Sequence, residues 1–361
     1  MDDNSTMTDP LTNLVKTYHE LNAAVVDELD EQPSALEFMR HVAVNRPSVV
    51  RQAIRDWPAL QKWDASYLRQ VMGREEVKVA ITPLGNADAV VENKKDDTLV
   101  FVEPHEIFEP FGEFLDSIQW SSSPTTLTEG HVKYAQTQND NLRHEYASLL
   151  FDVPTDIPFA RIALGQQADA INLWIGDDRS TTALHKDNYE NIYCQIRGEK
   201  DFVLLSPVEM PCVNEQVLAR GRYVPVHSAD VATTCNDGGN SQDSRVGELM
   251  VQLDVDAERV PVATWDPDEP ENRTTAWSHL AKPLRVTLRE GDMLYLPCFW
   301  YHKVSQRVGD EGFVCAVNYW YDCSFEGSSL ASHSFVRDVY LAEQRRPEYP
   351  ELKVGGETEG G

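Results

Sequence analysis

The segment Thr181-Thr182-Ala183-Leu184-His185-Lys186-Asp187-Asn188-Tyr189-Glu190-Asn191 places an imidazole and a carboxylate two residues apart. On an extended strand, residues two apart face the same way, so His185 and Asp187 can converge on one ion. Much later comes Gly291-Asp292-Met293-Leu294-Tyr295-Leu296-Pro297-Cys298-Phe299-Trp300-Tyr301-His302, in which a turn, an apolar strand and a proline lead to a second histidine. A histidine behind so apolar a run is at least partly buried and needs a polar partner there. Two imidazoles and one carboxylate are the facial donor set of non-heme Fe(II), which leaves coordination positions for a chelating cosubstrate and for O2. His185, Asp187 and His302 are therefore the candidate metal ligands and the candidate catalytic centre.

A keto acid such as 2-oxoglutarate that chelates iron at one end carries a second carboxylate, which a buried cation must neutralise. Lys200 heads the apolar strand Asp201-Phe202-Val203-Leu204 just after the turn at Arg197-Gly198, and a lysine turned inward there requires an anion. Thr182, three residues before the first histidine, and Tyr134, in the short strand Val132-Lys133-Tyr134-Ala135, each offer a hydroxyl to complete the clamp. An ammonium-bearing substrate side chain would need an acidic or aromatic sleeve, for which Asp187-Asn188-Tyr189-Glu190 and Trp300-Tyr301 are candidates.

The elements that must position these groups are short strands. From about residue 130 to 325 the chain reads as β-rich runs divided by turns: 131–136, 170–175, 191–197, 201–205, 284–288, 293–296 and 313–320. That spacing suits a sandwich or barrel and argues against a parallel α/β fold. Apolar residues at three- and four-residue steps from Leu11 to Val25 predict a helix over 11–28, and Ser34 with Glu37 three residues on predicts a second helix ending before Arg46-Pro47. A helix is also expected over Tyr67–Met72, ahead of an alternating strand at Val77, Val79 and Ile81. The expected organisation is a helical segment over 1–46 and a catalytic domain over 47–325 with a polar surface insertion near 228–247. A helix over 326–345 and a disordered tail over 346–361 follow. That helix, with Phe335, Val336, Val339 and Tyr340 on it, can cap the barrel or pair two copies into a homodimer.

Composition narrows the partners. The 361 residues carry 59 acidic and 32 basic side chains, a net charge of −27. Such a surface repels phosphate backbones and anionic lipid and attracts basic partners, so a lysine- or arginine-bearing protein is a better substrate than nucleic acid. No run reaches the roughly 18 apolar residues of a membrane span, and the start MDDNSTMTDP has neither a basic nor an apolar stretch. The six cysteines form no CxxC pair and are expected as reduced packing residues. A cytoplasmic and also nuclear location is the expectation.

Together, LHKDNYENIYCQIRGEKDFVLLSP, GDMLYLPCFWYHKV and AVNYWYD resemble the Jumonji-C (JmjC) family of Fe(II)- and 2-oxoglutarate-dependent oxygenases. With NRPSVVRQAIRDWPALQKW and ITPLGNADAV, the match over roughly 30–345 is similar to its Jumonji domain-containing protein seven branch of (3S)-lysyl hydroxylases. The resemblance implies a double-stranded β-helix, also called a cupin or jelly roll, with flanking helices. It implies His185, Asp187 and His302 as iron ligands and Lys200, Thr182 and Tyr134 as the 2-oxoglutarate clamp. Asn191 and Asn318 would lie beside the cosubstrate, and Trp320 would be a pocket wall. It further implies a dioxygenase that hydroxylates a lysine of a protein substrate, such as a developmentally regulated GTP-binding protein. Rival readings are a lysine demethylase, a lysine- or arginine-directed endopeptidase and a metal-binding cupin without turnover.

Overall fold

Eight strands, four in each of two sheets, form the centre of the computed structural model, which describes residues 9–93, 97–121, 131–138, 140–226, 248–326 and 328–344. In chain order they are β1 (Ala170–Gly176), β2 (Thr182–Lys186), β3 (Tyr189–Arg197), β4 (Glu199–Leu205), β5 (Leu284–Leu288), β6 (Met293–Leu296), β7 (Tyr301–Arg307) and β8 (Val314–Asp322). One sheet has the order β6-β3-β8-β1 and the other β5-β4-β7-β2. Every pairing within them is antiparallel. This is the double-stranded β-helix expected from the sequence.

The first sheet continues at one end through Val132–Ala135, Glu76–Thr82 and His105–Pro110, and at the other through Ser48–Val50 and Asp27–Leu29. Its strands read as nearly unbroken apolar runs because both faces are covered. Along β8, Cys315, Val317, Tyr319 and Tyr321 face a core shared with the helices, whereas Ala316 faces the barrel interior. Along β3, Ile192, Cys194 and Ile196 face the helices and Tyr193 faces inward. The period of two thus sorts one sequence between two cores. The large helix-side core includes Trp63, Phe111, Phe114 and Tyr146, and the interior one includes Phe202, Leu204, Leu294 and Val304.

The helices start where their caps dictate. Asp9 accepts the Thr12 N–H at 2.8 Å ahead of Pro10–Leu21. Ser34 and Glu37 form the reciprocal capping box ahead of Ala35–Val44. The first helix is shorter than its apolar repeat suggested. Asn22 ends it in an extended conformation and bonds back to the Tyr18 carbonyl. Leu21 and Val25 are then exposed, and Asp27–Leu29 continues as a strand parallel to Ser48–Val50. The expected 67–72 helix forms as Ala65–Met72.

The C-terminal helix Ser329–Gln344 lies against the 207–212 turn, with Tyr340 buried edge-on to Trp277. Phe335 on the same helix is 69% exposed. A third sheet, not anticipated, has the order Leu249–Leu253, Glu215–Pro225, Thr98–Glu103, Ala89–Asn93. Five cysteines are free and buried, as packing residues should be. Cys235, the 228–247 insertion and the 346–361 tail lie outside the described residues. Among the described residues, no helix is long and apolar enough to cross a membrane.

Candidate active site

The ladder between β2 and β7 sets His185 directly opposite His302, and the regular register breaks immediately after that pair. The two rings lie 4.1 Å apart between centroids. Asp187 continues beyond the end of β2, where its carboxylate Oδ2 sits 3.8 Å from His185 Nε2 and 3.7 Å from His302 Nε2. These separations are too long for hydrogen bonds and leave a gap of the size one ion would occupy. All three ligand atoms lie within 4.8 Å of one another.

Backbone carbonyls orient both rings. His185 Nδ1 is 2.8 Å from the Ala183 oxygen and His302 Nδ1 is 3.1 Å from the Trp300 oxygen. A carbonyl can only accept, so each Nδ1 carries the proton and each Nε2 lone pair is free to bind metal. Burial and the neighbouring His185 pull the His302 imidazole down to about 4, which keeps it neutral near pH 7.

The loop before His302 is tied from behind. Phe299 adopts a left-handed backbone (φ 65°), a strained state for a bulky residue, while its N–H bonds to the Asp187 carbonyl at 2.9 Å. Buried Glu190 accepts the Tyr295 hydroxyl at 2.7 Å and the Cys298 N–H at 3.3 Å. Burial raises its carboxyl above the usual range.

Of the sleeve expected from Asp187-Asn188-Tyr189-Glu190 and Trp300-Tyr301, Glu190, Trp300 and Tyr301 do not line the pocket. Glu190 faces the helix-side core, and Trp300 is buried with its indole N–H on Asn45. Tyr301 points to the outer side of the barrel, where its hydroxyl meets Lys186 at 3.0 Å and Glu215 at 3.0 Å. Asp187 lines the pocket, and Tyr189 stands beside it, stacked at 3° on Trp320 with the rings 4.7 Å apart.

His185, Asp187 and His302 open into a cavity whose lining also includes Tyr134, Thr182, Asn191, Lys200, Asn318 and Trp320. The structure therefore brings together every site residue expected from the sequence. Lys200 is 2% exposed, and its ammonium donates to the Tyr134 hydroxyl at 2.9 Å. The rings of Tyr134 and Tyr193 lie 5.4 and 5.7 Å from Nζ. Burial drags the ammonium down to about 7.

Gly176 allows this approach, because a Cβ there would strike the Tyr134 ring. Asn318 bridges Asn191 at 3.1 Å and the Trp174 indole N–H at 2.9 Å. Trp320 Nε1 is buried without a hydrogen-bond partner. Lys200, with one of its three N–H groups used, and the Trp320 N–H thus leave donors unmatched in one small cavity. That imbalance fits an anionic ligand.

Trp174, Tyr193, Phe202, Val304 and Gln138 also line the cavity but were not singled out from the sequence. Tyr193 lies two residues beyond Asn191 on β3 and Phe202 two beyond Lys200 on β4, so the strand period could have found them.

A two-sheet β-helix with two histidines and an aspartate at one end of its barrel defines a cupin-type metal oxygenase site. The chain belongs to the cupin-like domain family, whose pattern matches residues 33–327, and within it to the JmjC oxygenases. It is 36% identical over 302 residues to the human "Bifunctional peptidase and (3S)-lysyl hydroxylase JMJD7", covering 83% of this chain and 85% of that one. It is 34% identical over 330 residues to the Arabidopsis thaliana "Lysine-specific demethylase JMJ32", covering 89% and 88%. It is also 34% identical over 322 residues to the Dictyostelium discoideum "JmjC domain-containing protein E", covering 86% and 87%.

Proposed function

We propose that this protein is an Fe(II)- and 2-oxoglutarate-dependent protein hydroxylase that acts on lysine, at C3 in the (3S) sense. The observation that carries the reading is Lys200, a buried ammonium with unmatched donors in the same cavity as the His-Asp-His triad. A cupin that only held a metal would have no use for it. The name of the human relative supports lysine as the target.

In this reading His185, Asp187 and His302 hold Fe(II) through two neutral imidazoles and a carboxylate. Lys200 and the Tyr134 hydroxyl receive the distal carboxylate of 2-oxoglutarate, with Thr182, Asn191, Asn318 and Trp320 around it. The bound pair supplies the oxidant, as 2-oxoglutarate loses carbon dioxide to give succinate and one oxygen atom of O2 goes into a C–H bond. The Tyr189–Trp320 stack and Trp174 exclude water from that step. We assign the protein to the cytoplasm and nucleus, with a developmentally regulated GTP-binding protein as candidate substrate and a homodimer through the exposed Phe335 face as candidate assembly.

The test is incubation of the purified protein with Fe(II), 2-oxoglutarate and lysine peptides, following succinate and peptide mass. Succinate together with a gain of one oxygen is the expected result. Loss of a methylene from a methyl-lysine peptide would make it a demethylase, and cleaved peptide without succinate a peptidase. His185→Ala and Asp187→Ala should abolish turnover and lower bound iron; full activity of either variant at trace iron would refute the triad.

A further inference from the structure

The metal cavity does not end at the triad. Gln138, Trp174, Thr182 and His185 also line an open cleft whose outer wall is the third sheet, through Phe101, Glu103, Arg222 and Tyr223. Three carboxylates line this cleft, at Asp88, Glu103 and Glu106. Two of them already have cations: Glu103 pairs with Arg220, and Glu106 with Lys78 at 3.3 Å.

Asp88 differs. Its hydrogen bond is from the Gln136 amide at 2.9 Å, and no lysine or arginine among the described residues is within ion-pair distance of it. It is half-buried in the wall that leads to His185. Burial, with Glu103 adding to it, pushes its carboxyl up to about 6, against the opposing pull of His185 and the Gln136 amide. A half-buried carboxylate with an amide partner and no paired lysine or arginine can be completed by a cation that arrives from outside.

Resting on the reading above, we infer that Asp88 is the receptor for the ammonium of the substrate lysine and so selects lysine for this site. C3 of a lysine is separated from its nitrogen by four bonds of about 1.5 Å each. With C3 at the metal and the stem directed into the adjoining cleft, the ammonium would lie among lining residues that include Asp88, Phe101 and Tyr223. Asp88 acts on substrate choice, whereas the triad and Lys200 act on the chemistry.

The test uses the full-length protein loaded with manganese(II), which supports no turnover, and 2-oxoglutarate. The probe is a fluorescent peptide chosen as the tightest binder from a lysine-centred library, with norleucine and arginine versions of the same peptide. Asp88 has a left-handed backbone (φ 53°), which asparagine and glycine both accept, so Asp88→Asn keeps the turn and Asp88→Gly is the second variant. The wild type should bind the lysine peptide at least about tenfold more tightly than the norleucine peptide, and both variants should lose that preference.

In turnover with Fe(II), the variants should raise the peptide KM by a similar factor with a smaller change in kcat. Undiminished preference in both variants overturns the inference, and so does an Asp88-dependent preference for arginine over lysine. If the wild type prefers lysine through Asp88 but hydroxylates no lysine peptide, the receptor stands and the hydroxylase reading falls. Hydroxylation with an unchanged KM in both variants leaves the reading standing and removes the receptor.

Discussion

Replacing Lys200 with methionine should make the ligand-free protein more stable while nearly abolishing its hold on 2-oxoglutarate. The folded protein lowers the ammonium from 10.5 to about 7 by burying it. Between those two values the unfolded chain binds a proton that the folded one does not. The resulting penalty is absent above about pH 10.5, grows as pH falls, and is fully present below about pH 7. At about 1.4 kcal/mol per pH unit it comes to roughly 4 kcal/mol near neutrality.

Methionine fills the same space without this penalty and forfeits the hydrogen bond to Tyr134, worth about 1 kcal/mol. A net gain on the order of 2–3 kcal/mol should raise the ligand-free melting temperature by several degrees. The 2-oxoglutarate carboxylate would meanwhile lose its counter-charge, a loss on the order of 3–5 kcal/mol and so at least a hundredfold in affinity. Thermal melts with and without manganese(II) and 2-oxoglutarate, at pH 7 and at pH 9.5, separate the two effects. The ligand should stabilise the wild type strongly and Lys200→Met hardly at all, and the ligand-free gap between the proteins should shrink at the higher pH. A variant that melts below the wild type without ligand, yet gains the full stabilisation with it, would refute the role given to this side chain.

Other outcomes follow from single contacts. Gly176→Val should push the Tyr134 ring off Lys200 and raise the KM for 2-oxoglutarate by about tenfold with the circular dichroism spectrum unchanged; unchanged kinetics would count against the clamp. Glu190→Ala leaves the Tyr295 hydroxyl and the Cys298 N–H buried and unmatched, and should lower urea stability by about 2–4 kcal/mol, against under about 1.5 kcal/mol for Glu190→Gln. Asp152 accepts Lys62, Trp63 and Tyr67 at 2.7, 3.0 and 2.6 Å. Burial raises its carboxyl, but these bonds outweigh it and the net shift is downward. Its contribution is therefore present above the ordinary carboxylate pKa and lost as pH falls through the folded value. The gap in urea midpoint between the wild type and Asp152→Asn should narrow from pH 7 to pH 3.

The candidate metal ligands were legible because their signals are local. His185 and Asp187 obey the strand period, and His302 ends a run too apolar to leave it in water. Lys200 was legible from its place at the head of a buried strand, and the capping box at Ser34 and Glu37 from spacing alone. The errors came where tertiary context decides. Trp300 and Tyr301 adjoin a ligand in sequence, but one faces Asn45 and the other the outer layer of the barrel. Leu21 and Val25 continue a helical stripe that has nothing to pack against. The third sheet joins Ala219–Arg222 in parallel to Val100–Glu103, a pairing between distant segments that leaves no periodic trace. Asp88 was invisible for the same reason, since its meaning depends on which carboxylates beside it are already neutralised.

The third sheet has a consequence for how such proteins diversify. Two of its strands, Glu215–Pro225 and Leu249–Leu253, fall between β4 and β5 in the chain, and the other two, Ala89–Asn93 and Thr98–Glu103, come from before the barrel. Neither pair contributes to the ladder that aligns His185 with His302. Mutation, insertion or exchange in these segments can reshape the outer wall while the oxidising end keeps its geometry, so choice of target and capacity to oxidise are separately heritable. Relatives at nearly equal distance that bear the names of a hydroxylase and of a demethylase are what a lineage with that modularity would leave behind.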